Sequence, residues 1–198
     1  MITLPTSKVP ATSTNPKFLI LYGRPKCGKT SALAQLDDNL IIDLEGGSTF
    51  IDAMAVQARS VSDLGEIAQA IRAKNTEVGH NFYRHITIDN ATRLEEICLG
   101  YAATLYKKTP LGKKWEGTDV KTLPNGSGYL YIRQAVRKVI DMFRELCDEF
   151  ILVGHVKDIQ IEQNGEELSQ MALDLVGKLG TSICGESDAV GLVYRKGT

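Results

Sequence analysis

Residues 23–30 read Gly-Arg-Pro-Lys-Cys-Gly-Lys-Thr, which satisfies the pattern G-x-x-x-x-G-K-[ST] at every fixed position. The octet follows a continuous apolar run, residues 18–22, of the kind that forms a strand buried on both faces. Good helix formers follow it from 29 to 36. Strand, glycine loop and helix in that order leave few folding options. The glycines let the backbone curl with its N–H groups pointing inward, and the helix adds its positive N-terminus, so the turn cradles an anion. In this pattern Lys29 is the cation for the β and γ phosphates of a nucleotide, and Thr30 is the hydroxyl for Mg²⁺. The candidate nucleotide-binding residues are Gly23, Arg24, Pro25, Lys26, Cys27, Gly28, Lys29, Thr30 and Ser31. Residue frequencies alone give such a match in about one chain in a hundred of this length, and the flanking elements make it rarer. Cys27 occupies a variable position that accepts any small residue, so its thiol is given no role.

The rest of the chain alternates. Residues 40–44 form a second buried strand stopped by Gly46 and Gly47. Over 61–74, Leu64, Ile67, Ala68 and Ile71 recur at helical spacing with Ser62 as the N-cap. A third strand over 84–89 leads to Asn90, which caps a helix presenting Leu94, Ile97, Cys98, Tyr101 and Leu105 on one face. A helix over 131–147, a strand over 150–154, a short helix within 173–184 and a strand over 189–194 complete the pattern. Residues 107–128 and 155–170 are read as two polar loops, long enough to be functional. This alternation predicts an α/β fold: a mainly parallel sheet with helices on both faces, over residues 18–198. Residues 1–17, rich in Thr, Ser and Pro, read as a flexible arm that is neither a signal peptide nor an anchor.

Composition narrows the classes. With 23 Lys plus Arg against 24 Asp plus Glu, the net charge of −1 excludes a uniformly basic nucleic-acid coater. It leaves room for local basic loops. The four cysteines form no CxxC pair, so neither zinc nor a disulfide framework is indicated and a reducing cytoplasm fits. No run approaches the roughly 20 apolar residues of a membrane span.

A second carboxylate is needed on the metal side of the phosphates, at the end of a neighbouring apolar strand. Asp89 meets that description and would hold Mg²⁺ through water opposite Thr30. At the end of the second strand stand Asp43 and Glu45, two residues apart and so on one side of it.

Residues 42–47, with Asp89, the helix entry at Gly128 and Tyr129, and residues 152–158, resemble the RecA-like P-loop ATPase core. More narrowly they resemble phage-type RecA-like nucleotide-binding proteins, a group that includes single-strand annealing recombination proteins. The resemblance covers residues 18–194. It implies a RecA-like P-loop NTPase fold, ATP and Mg²⁺ as cofactors, and Lys29, Glu45 and His155 as catalytic residues. Glu45 would orient the attacking water, with Asp43 the alternative, and His155 would sense the γ-phosphate. Arg195 and Lys196 would act in trans on a neighbour's nucleotide, in a homo-oligomeric ring or filament. Two loops would line a channel for single-stranded DNA, contacting it through Lys107, Lys108, Lys113, Lys114 and Trp115 in one and Lys157 in the other.

The implied function is a DNA-stimulated ATPase acting on single-stranded DNA in recombination or annealing. It would work with a single-strand-binding protein, away from membranes, in the cytoplasm of a bacterial host if phage-encoded. A nucleotide-gated loader with little hydrolysis is the alternative. A small-molecule kinase is less favoured, because no loop clusters the arginines that its lid would need.

Overall fold

Short runs of β-branched and aliphatic residues assemble into six parallel strands in the computed structural model, which describes residues 4, 6–11, 15–163 and 166–196. Of the arm expected at the N-terminus, residues 1–3, 5 and 12–14 lie outside the described residues. Its last residue is tied to the body: the Lys17 amide donates to Asp188 at 2.8 Å.

The strands are β1 (Phe18–Tyr22), β2 (Asn39–Asp43), β3 (Ala55–Gln57), β4 (His85–Asp89), β5 (Glu149–Gly154) and, after the hairpin formed by β6 (Val156–Gln163) and β7 (Glu166–Leu173), β8 (Ala189–Leu192). They lie in the order β3-β2-β4-β5-β1-β8. In register, Tyr22 stands opposite Gly154, Val153 opposite Asp89, and Asp89 opposite Asp43. The carboxyl ends of the four central strands therefore share one edge, where ligands of open α/β sheets bind.

The two faces are covered unequally. On one lie α2 (Val61–Val78), α3 (Ala91–Lys107) and α4 (Gly128–Arg144), whose Leu64, Leu94, Ile132 and Phe143 join Ile42, Ile88, Phe150 and Leu152 in the main core. Leu179 and Ile183 of α5 (Leu179–Glu186) belong to the same core. The other face is covered by the short α1 (Lys29–Leu33), whose Leu33 packs with Ile41, Ile151 and Val153. This is the parallel α/β architecture of a P-loop NTPase core.

Three local expectations are corrected. The N-cap of α2 is Ser60, not Ser62: its hydroxyl accepts from the Asp63 amide while Asp63 accepts from the Ser60 amide, a reciprocal capping box. The presumed polar loop over 155–170 is mostly the antiparallel hairpin β6–β7. Antiparallel pairing satisfies the facing backbone groups of a two-stranded ribbon and water reaches the outer ones, so no apolar face is required and its polar composition concealed it. The segment read as a polar loop over 107–128 instead carries three short 3-10 turns, Gly112–Lys114, Val120–Thr122 and Pro124–Gly126, and an apolar anchor. Val120 and Leu123 are buried, and the Gly128 backbone passes so close to the Val120 carbonyl that a Cβ would lie 1.7 Å from that oxygen.

The capping box yields a direct comparison. Ser60→Ala is expected to lower unfolding stability by about 1 kcal/mol, whereas Ser62→Ala stays within about 0.5 kcal/mol. Urea denaturation midpoints of the two variants check this.

Candidate nucleotide site

The loop after β1 closes tightly. Lys26 and Gly28 take left-handed backbone conformations, with φ of 60° and 100°. At Gly23 a Cβ would stand 2.2 Å from the Val193 carbonyl oxygen and 2.9 Å from Cys27 Sγ. Glycine is thus required there by packing against the segment that leaves β8, besides its part in the turn. Lys29 is buried and folds back over its own loop, with Nζ donating to the carbonyls of Gly23 at 3.0 Å and Arg24 at 2.9 Å. Because α1 has only five residues, the attraction for an anion rests on the loop amides and Lys29 more than on a helix dipole.

Thr30 and Asp89 meet across the width of β5. The hydroxyl of Thr30 donates to Asp89 Oδ2 at 2.5 Å. Burial raises the Asp89 pKa above the ordinary 3.8, and the negative charges of Asp43 and Glu45 add to the rise, while Thr30 and Lys29 oppose it. A buried carboxylate beside other negative charges gains from a cation. Thr30 and Asp89 offer the hard oxygen donors that Mg²⁺ prefers when nucleotide phosphates and water supply the rest. Among the described residues, no group of three or more His, Cys, Asp or Glu could hold a metal without such help.

Asp43 and Glu45 have different surroundings. Asp43 is 3% exposed and accepts four hydrogen bonds, from the amides of Glu45, Gly46 and Ser48 and from the Ser48 hydroxyl, at 2.5 to 2.9 Å. Burial works against its charge, but the hydroxyl and amide of Ser48 and the amides of Gly46 and Glu45 together hold its pKa below 3.8. Asp43 is a clasp for the turn that presents Glu45. Arg59 supports the same turn by donating to the Leu44 carbonyl at 2.7 Å. Glu45 is half exposed, its Oε1 lies 3.6 Å from His155 Nε2, and both side chains line the cleft with Lys29, Thr30 and Asp89.

The cleft has a volume of about 590 Å³, within the usual range for a ligand site. Three of its features were not read from the sequence. Asn90, expected only as a helix cap, also approaches His155 Nε2 at 3.0 Å. Ile51 lines the wall beside Glu45. Arg195, expected from the resemblance to reach a neighbour's nucleotide, lines the cleft of its own chain, while Lys196 is exposed.

The hairpin is fastened to this site. It begins one residue after His155, and its Asp158 pairs with Arg24 of the glycine loop at 3.2 Å. At its base the Asp174 amide donates to the His155 carbonyl. Thr92 and Glu95 of α3 hold the Asp174 carbonyl and the Val176 amide, at 2.9 and 2.8 Å.

The residues nominated for nucleic acid at the end of α3 and in the segment after it lie apart from the cleft. The 17 residues of α3 run about 25 Å, from Ala91 beside Asp89 to Lys107 at the far end. Lys108, Lys113 and Lys114 are exposed there and have no carboxylate at ion-pair distance among the described residues. Trp115 is half-buried, edge-on to Tyr106 at 5.2 Å with Lys107 Nζ 5.5 Å from its ring centre, so its indole is already engaged. Lys157 donates to the Leu175 carbonyl and stands 3.7 Å from Asp174, which commits its ammonium to the hairpin base. No helix among the described residues is long and apolar enough to cross a membrane. Burial pushes the Cys98 and Cys147 thiols up to about 12.

A glycine loop between strand and helix, a hydroxyl and a carboxylate poised for a metal, and a parallel sheet define a nucleotide-binding P-loop domain of the ATPase class. Residues 15–198 match the family described as AAA domain, and the chain belongs to that family. A search among curated proteins gives no significant match.

The opposite perturbations of the two aspartates make opposite predictions. Asp89 carries a raised pKa, so its ionised form costs the folded state stability as pH rises through and above 3.8. Asp89→Asn is expected to raise the melting temperature of the nucleotide-free protein at neutral pH while weakening Mg-dependent nucleotide binding. Asp43 carries a lowered pKa, so its contribution is present above 3.8 and is lost as pH falls through its lower folded value. Asp43→Asn is expected to destabilise at pH 7, by a margin that shrinks below pH 3.8. Thermal denaturation across pH checks both.

Proposed function

We propose that this chain is a Mg-dependent, RecA-like ATPase that acts on single-stranded DNA in phage-type recombination or annealing. The observation that carries the reading is the convergence of Lys29, Thr30, Asp89, Glu45 and His155 on one cleft at the carboxyl edge of the sheet. Lys29 would leave the carbonyls of Gly23 and Arg24 to meet the β and γ phosphates. Thr30 and Asp89 would hold Mg²⁺, which when bound neutralises phosphate charge. Glu45 would hold a water in line with the γ-phosphate, since positioning and charge stabilisation supply most of phosphoryl-transfer catalysis. Arg195, already in the wall, would add positive charge without a neighbouring subunit.

The DNA part of the proposal is supported by the exposed Lys108, Lys113 and Lys114, which have no carboxylate at ion-pair distance among the described residues, with Lys107, a cluster suited to a phosphate backbone. With Trp115 engaged in packing, contact there would be ionic rather than by base stacking. Assembly into a ring or filament, and cooperation with a single-strand-binding protein, belong to the same proposal.

ATP hydrolysis and sedimentation, each measured with and without single-stranded DNA, test the reading. A several-fold rise in turnover together with larger species supports it; equal rates and equal sedimentation remove the DNA role. Lys29→Ala is expected to abolish measurable ATP binding. Glu45→Gln should bind ATP normally and lose about a hundredfold or more in turnover. Replacing Lys107, Lys108, Lys113 and Lys114 by Ala should weaken single-strand binding and flatten its log–log salt slope by up to about three.

A further inference from the structure

Asn90 is fully buried and makes two hydrogen bonds through the two ends of its amide. Its Oδ1 accepts from the Arg93 amide at 3.0 Å, which caps α3. An amide N–H can be paired only with the oxygen, so this bond fixes which end of the Asn90 side chain is which. The other end, Nδ2, lies 3.0 Å from His155 Nε2. Two donors cannot share that distance, and Nδ2 has no lone pair to offer. His155 Nε2 must therefore accept, and the proton of the neutral ring resides on Nδ1. Nδ1 is buried without a partner among the described residues in either tautomer, so it does not decide between them, whereas Nε2 does.

Glu45 Oε1 lies 3.6 Å from the same Nε2. A ring carrying its proton on Nε2 would turn that N–H toward Glu45 Oε1 and compete with water for this oxygen. We propose that Asn90 is a positioning residue for the hydrolytic site: by donating to Nε2 it locks His155 in the Nδ1–H form and leaves Glu45 unencumbered. This inference rests on the proposed role of Glu45 as the residue that orients water. It also links the site to the first turn of α3, because one amide serves as both the cap and the lock.

The test separates the two roles. Serine caps a helix about as well as asparagine but is too short to reach the ring, so Asn90→Ser retains the cap and removes the lock. The imidazole ¹⁵N spectrum of histidine-labelled protein reports which ring nitrogen carries the proton, with His155→Gln assigning its signals among the three histidines. In the parent protein the His155 proton is expected on Nδ1. In Asn90→Ser a substantial fraction should move to Nε2, with ATP affinity within about threefold of the parent and turnover about tenfold lower. Asn90→Asp, whose carboxylate also caps but can only accept, should drive the proton fully to Nε2.

A proton on Nε2 in the parent overturns the proposal, as does an unchanged ring spectrum in both variants or a changed ring with parental turnover. The parent spectrum, once His155→Gln has assigned it, needs no hydrolysis, so failure of the lock is distinguishable from failure of the ATPase reading, which would appear as absent turnover in a protein whose ring is locked as described.

Discussion

Parallel pairing of β1, β5, β4 and β2 brings the ends of four strands to one edge. Because the register sets Tyr22 opposite Gly154, and Asp89 between Val153 and Asp43, residues 59 positions apart in sequence, such as Thr30 and Asp89, come within 2.5 Å. Each βαβ unit returns its strand in the same direction, so the loops that follow the strands accumulate at that edge. Buried hydrophobic strands supply the stability, and their exits carry the chemistry. A register shift of one residue between β4 and β5 would move Asp89 away from Thr30 and turn its side chain to the other face.

Within that edge the acidic groups have different surroundings. Asp43 lines the cleft with both carboxylate oxygens engaged in four local hydrogen bonds, while Glu45 lines it from the turn that Asp43 holds. Sequence spacing alone left these two carboxylates equivalent, since both fall on one side of a strand. The distinction depends on where Ser48 and the amides of Glu45 and Gly46 lie, and a linear pattern does not carry that. Asp89 is the counterpart of Asp43. It is incompletely compensated in the nucleotide-free protein, a destabilising arrangement of the kind that persists at ligand sites.

The central strands and the glycine loop were legible because their signals are local: apolar runs, and a motif whose spacing is fixed by backbone geometry. Helix entries were legible where a single polar residue caps them, as at Asn90, and less so where two serines competed, as at Ser60 and Ser62. The hairpin was missed although Asn164 and Gly165 supply the dipeptide most typical of two-residue hairpin turns. Its polar residues drew the reading toward a loop. The second bond of Asn90, the packing of Trp115 and the engagement of Lys157 with Leu175 and Asp174 depend on tertiary neighbours. Composition could nominate Trp115 and Lys157 for nucleic acid but could not reveal that their side chains were already occupied.

The hairpin also has a mechanical meaning. The eight residues of β6 span about 26 Å, and they start one residue beyond His155, with no slack between. Arg24 and the first turns of α3 hold the root, through Asp158, Asp174 and Val176. The ribbon thus extends outward from a root held beside the phosphate loop. A rigid tilt of roughly 5° at the root would displace the far end of the strand by about 2 Å.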